Sequence, residues 1–192
     1  MKVLIIAATN FEVTSEKLRK FNLLISGIGM INTAISLTKE LLKNEYDLVI
    51  NMGVAGSFSE NISLGEVVEV IDDRFSEIGF EDGNIFKEFT ALDICNSYRV
   101  EGKTKLKKAK AITVNTVHGN ENSIKEIVKR LNPDVESMEG AAVFQVCENF
   151  GVPCVQIRSI SNKVERRDKT DWNIPLAIQK LNTTVEKIIT EL

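Results

Sequence analysis

Polar residues able to do chemistry collect where apolar runs end. Glu12 follows the run Val3-Leu4-Ile5-Ile6-Ala7-Ala8, just past the carboxyl end of a first strand. Glu136, Met138 and Glu139 stand at the entrance of a helix, and Arg158, Ser161 and Asn162 at the exit of a strand over 154–157. In open α/β sheets, ligands gather beyond the carboxyl ends of strands. Three acids, an arginine and an amide therefore fall in candidate positions. Gly140-Ala141-Ala142 carry so little bulk that a backbone or a flat ligand can approach closely. Each residue also has a plainer reading. An acid at a helix start suits the helix dipole, Glu12 can serve the start of a helical stretch over 15–20, and an arginine at a strand end is often a solvated rim.

The elements that must position these groups follow from periodicity. From Met138, Ala141, Ala142, Val146, Cys147 and Phe150 recur at helical spacing. Gly151 suits a left-handed helix end and Pro153 stops continuation. The run over 3–8 is apolar throughout, as in a strand buried on both faces. A strand over 22–26 empties into Gly27-Ile28-Gly29-Met30-Ile31-Asn32 and a helix to about residue 43. The two glycines can turn sharply and aim amides at an anion or polar ligand, but the dinucleotide fingerprint GxGxxG fails at Asn32. A strand over 47–52 exits into Gly53-Val54-Ala55-Gly56-Ser57. Residues 64–71 read as a strand, 72–90 as an irregular, phenylalanine-rich excursion, and 111–115 as a strand leading to Val117 and His118. A helix over 123–131 stops at Asn132-Pro133. A charged loop over 163–171 precedes a final helix over 174–192 with one apolar stripe. Strands and helices interleave without repeat or linker. The expectation is one α/β domain over 1–192, a three-layer α/β/α sandwich around a mixed, mostly parallel sheet.

Composition narrows the partners. A net charge of −3 argues against nucleic acid, which needs a basic face; the run over 103–110 (KTKLKKAK) reads as a solvated surface. Cys95, Cys147 and Cys154 show no CxxC spacing and suit a reducing compartment. His118, the sole histidine, has no metal partners around it. The apolar run over 3–8 is too short for a signal core or a membrane span. The expectation is a cytoplasmic protein with no metal, no cofactor and no membrane partner.

Five pieces, in order, carry a resemblance: Ile5-Ile6-Ala7-Ala8…Glu12, Gly27-Ile28-Gly29-Met30-Ile31-Asn32, Asn51-Met52-Gly53-Val54-Ala55-Gly56, Val135-Glu136-Ser137-Met138-Glu139-Gly140-Ala141-Ala142 and Arg158-Ser159-Ile160-Ser161-Asn162. Together they resemble the purine nucleoside phosphorylase and nucleosidase superfamily. Within it, the run from Ser159 to Asp168 with Trp172 and Ile174-Pro175-Leu176-Ala177-Ile178 looks most like the futalosine hydrolases, which remove hypoxanthine from futalosine in menaquinone synthesis.

The resemblance implies roles. Glu12 would activate water as a general base, with Arg158 orienting it through a charge-assisted bond. Glu139 would hold the ribose hydroxyls as positive charge grows on the ring, and Met138 would pack on the sugar. Gly53, Val54, Val117 and His118 would touch substrate, the base lying along 113–118. Val54 replaces a serine that relatives use toward the nucleophile. Asn162 replaces the aspartate of adenine-specific nucleosidases; an amide can donate to a 6-oxo group where a carboxylate cannot. Lys163, Arg166, Arg167 and Arg74 are candidates to meet a carboxylate on the substrate's 5′ side. The resemblance also implies a homo-oligomer, a dimer or larger, acting on a small-molecule nucleoside.

Rival readings are a methylthioadenosine/adenosylhomocysteine nucleosidase, which Asn162 argues against, and a nucleoside phosphorylase, which the scarcity of cations beside Glu12 argues against. A binding protein that had lost catalysis should lack Glu12 or Glu139. A dehydrogenase fails on the glycine fingerprint.

Overall fold

The structure is a computed structural model and describes residues 1–83, 85–89, 94–166 and 172–191. Strands β1 (Val3–Ala7), β2 (Asn22–Ile25) and β3 (Leu48–Ser57) come first, with helix α1 (Met30–Leu41) between the last two. Next are β4 (Val67–Phe75), β5 (Gly79–Asp82), β6 (Ile85–Glu88), β7 (Ser97–Arg99) and β8 (Lys107–Thr113). Helix α2 (Glu121–Leu131), β9 (Val135–Ser137), α3 (Gly140–Phe150), β10 (Cys154–Lys163) and α4 (Ile174–Glu191) complete the order.

The sheet runs β10-β4-β8-β9-β3-β1-β2, with β7 beside β4. It is mixed and mostly parallel, as expected: β1–β2, β1–β3, β3–β10, β4–β8 and β8–β9 pair parallel, whereas β4–β10, β3–β9 and β4–β7 pair antiparallel. Because β10 also pairs with β3, strands β3, β10, β4, β8 and β9 close a ring.

Alternation sorts the core into two layers. Leu4 and Ile6 of β1 pack with Leu37 of α1 and Ala141, Val143 and Phe144 of α3. Val3, Ile5 and Ala7 point the other way, toward Leu181, Val185 and Ile188 of α4. The apolar stripe foreseen in the last helix is thus the face that covers the sheet.

Several elements differ from expectation. The stretch over 15–20 forms only a 3-10 turn at Leu18–Lys20. The excursion over 72–90 contains the end of β4 and the β5–β6 hairpin. The basic run enters β8, where Lys107 pairs with Glu66, just before β4, and Lys108 with Glu69 of β4, while Ala109 and Ala111 face the core. Propensity missed this because the strand alternates lysine with alanine, and its stability comes from cross-strand pairing.

Candidate active site

A cavity of about 280 Å³ opens among the ends of β1, β3, β9 and β10. Glu12, Val54, Val117, His118, Met138, Glu139 and Asn162 all line it. Gly53 and Arg158 do not line it; they sit buried behind Glu12 and Glu139.

Glu12 closes a 3-10 turn at Asn10–Glu12 immediately after β1. Its Oε2 accepts from the Thr9 amide at 2.9 Å and the Thr9 hydroxyl at 3.3 Å, and its Oε1 accepts from the Val54 amide at 3.2 Å. Position 54 therefore serves through its backbone. Burial pushes the Glu12 carboxyl above the ordinary range; the Arg158 charge and the two amides oppose that push, and Glu139 adds to it. A carboxylate whose proton affinity is raised is a better base.

Glu139 is the cap residue before α3. Its Oε1 accepts from the Gly29 amide at 3.0 Å, and its Oε2 lies 3.7 Å from Arg158 Nη1. Gly29 has φ +93°, which a glycine adopts without strain. The glycine pair after β2 thus aims an amide at the protein's own carboxylate. The helix entrance is fixed from below: Thr113 Oγ1 accepts from the Ala141 amide at 2.8 Å and donates to buried Asp73 at 2.9 Å.

Arg158 is 1 % exposed and faces Gly53 across the β3–β10 ladder. Its hydrogen bonding to Glu12, expected from sequence, is not what holds that acid; Arg158 acts on Glu12 through charge. Its Nε and Nη2 find no partner among the described residues. A bulge between Ile160 and Asn162 lets consecutive Ser161 and Asn162 both line the cavity. Ser161 Oγ donates to Asn162 Oδ1 at 2.8 Å, and Asn162 Nδ2 donates to the Lys163 carbonyl at 2.9 Å. The amide keeps its second N–H for a ligand.

Of the proposed cations, Lys163 and Arg166 line the cavity, but Lys163 Nζ is drawn to the Ser59 carbonyl at 2.7 Å. Arg74 is elsewhere, bound to Glu88 and Asn96. Arg167 lies outside the described residues. Glu136, noted in sequence only as part of a polar cluster, lines the cavity and contacts His118. Thr9 was missed, since its part depends on a turn three residues long. Among the described residues no cluster of His, Cys, Asp or Glu could hold a metal, and no helix is long and apolar enough to cross a membrane.

A mixed sheet carries acids, a buried arginine and an amide at its strand ends, and the chain matches a model of the phosphorylase superfamily over residues 7–192. The chain belongs to that superfamily. It is 28% identical over 184 residues to a futalosine hydrolase of Thermus thermophilus, covering 89% of this chain and 82% of the relative. It is 33% identical over 194 residues to a 5′-methylthioadenosine/S-adenosylhomocysteine nucleosidase of Marinomonas, covering 94% of this chain and 84% of the relative. A solved futalosine hydrolase mutant of Helicobacter pylori shares the fold, with a TM-score of 0.86 at 19% identity and full coverage of both chains.

Proposed function

We propose that this protein hydrolyses the N-glycosidic bond of a 5′-substituted purine nucleoside, with futalosine as its substrate and hypoxanthine as the released base. Hydrolase and nucleosidase relatives along most of the chain support the reaction class. In this reading Glu12 takes the proton of the attacking water, and Glu139 grips the ribose hydroxyls as the ring becomes oxocarbenium-like. Arg158 holds both carboxylates in place by charge. Water is favoured over phosphate because the groups facing the nucleophile position are carboxylates, which repel an anion.

The observation that carries the choice of base is the Asn162 amide. Ser161 engages its carbonyl oxygen and the Lys163 carbonyl takes one N–H of its nitrogen, which leaves a second N–H as a donor, suited to the acceptor edge of a 6-oxopurine. In this reading Arg166, which lines the same cavity, is the cation that meets a 5′ carboxylate.

A second reading is favoured by a different observation. Phe11, Ile28, Trp172, Ile174 and Ile178 make much of the cavity wall apolar, which also suits a methylthio group and a methylthioadenosine substrate.

The test is incubation with futalosine, inosine and methylthioadenosine, with and without phosphate, identifying the released base. Hypoxanthine from futalosine, independent of phosphate, is expected. Faster adenine release from methylthioadenosine would replace the futalosine reading by the second one.

A further inference from the structure

Glu136 is a buried acid, 4 % exposed, that lines the cavity and for which the hydrolytic step has no use. It sits on β9 between two neighbours, opposite Gly56 of β3 and Ile112 of β8. Asn162 of β10 faces the same Gly56 from the other side. The two side chains converge above that glycine: a β-carbon there would lie 3.6 Å from Glu136 Cγ and 3.1 Å from Asn162 Nδ2. A larger residue at 56 would crowd Val164 Cγ2, at 2.9 Å, and Asn162, and would touch Glu136.

The Glu136 carboxylate is held on its outer side by His118. The His118 amide donates to Oε1 at 3.0 Å, and His118 Nδ1 lies 2.6 Å from Oε2. A carboxylate offers about four lone-pair positions, so each oxygen keeps accepting capacity. Both residues border the cavity. A fixed acceptor and a fixed donor therefore stand side by side, Glu136 and Asn162.

We infer that Glu136, clamped by His118 and paired with Asn162 across Gly56, is the acceptor that reads the N1–H edge of a 6-oxopurine in this cavity. A 6-oxopurine presents N1–H next to O6, a donor beside an acceptor, which matches carboxylate beside amide. A 6-aminopurine presents the reverse and would set its N1 lone pair against the carboxylate. The inference rests on the proposed purine nucleosidase reading and adds a specificity residue to it.

The test measures binding of hypoxanthine and 1-methylhypoxanthine to the unmodified chain and to Glu136→Gln by calorimetry, beside turnover of futalosine. The methyl group removes the N1–H donor. In the unmodified chain, 1-methylhypoxanthine should bind about 10- to 100-fold more weakly, the loss of one hydrogen bond to a charged acceptor. In Glu136→Gln that gap should shrink to about threefold or less while adenine binding strengthens, since the glutamine amide can donate to adenine N1. Methyl bulk alone would leave the gap unchanged in the variant, and that result would overturn the inference. Equal binding of the two bases by the unmodified chain would overturn it without any variant. Failure to release hypoxanthine from futalosine would instead defeat the proposed function, which turnover reads separately from base binding.

Discussion

Gly53 and Arg158 face each other on β3 and β10, and the guanidinium fills the place where a β-carbon of Gly53 would be. Only 2.3 Å separates that position from Arg158 Nη1, and 2.9 Å separates it from Glu12 Oε1. Gly53→Ala must displace one or both groups. Small misplacements of this kind cost on the order of a hundredfold in rate, and overpacking costs about 1–3 kcal/mol of stability. Steady-state kinetics should show kcat falling far more than thermal melting alone would explain. A kcat near that of the unmodified protein would mean the contact is slack.

Glu12→Gln keeps the shape and removes the proposed base. The expected loss in kcat is about 10²- to 10⁴-fold. In the unmodified enzyme, kcat/KM should fall as pH drops through the raised Glu12 pKa, so the acid limb should lie above the 4.5 of an ordinary glutamate. The residual activity of the variant should lack that limb.

Asn162→Asp reverses the donor. The new carboxylate would point an oxygen toward the Lys163 carbonyl, where the amide now donates at 2.9 Å. The ratio of kcat/KM for futalosine to that for methylthioadenosine should fall by about two orders of magnitude or more. An unchanged ratio would show that position 162 does not choose the base.

Asp73 has no solvent exposure, and burial pushes its carboxyl from 3.8 up to about 6. Between those values the fold retains a proton that the unfolded chain has released. Its stabilising share is therefore present below about pH 4 and lost as pH rises to about 6, roughly 3 kcal/mol in all. Asp73→Asn should flatten the dependence of melting temperature on pH in that window. At pH 7 it should hold or raise stability, because Gln156 Oε1 has no partner among the described residues and can accept from the new amide.

Much of this was legible in sequence because the signals are local. The apolar run over 3–8 announces a doubly buried strand, and Glu12 directly follows it. Gly151 and Pro153 mark the end of α3, so Glu139 falls at its start. What escaped depends on pairings between distant segments. Glu136 meets His118 only because β9 docks between β8 and β3, and a three-residue strand leaves almost no periodic trace. The tight approach of Arg158 to Gly53 is a matter of register between strands some hundred residues apart. Arg74 looked eligible by charge, yet β4 carries it to Glu88 and Asn96.

The ring of five strands closes only when β10 slots between β3 and β4. Until residues 154–163 have left the ribosome, both neighbours show bare ladder edges, which invite aggregation. Assembly must therefore wait for contacts far apart along the chain, a topology that slows folding. The same late strand delivers Arg158, Ser161 and Asn162, so a nascent chain cannot possess a working pocket before its architecture is whole.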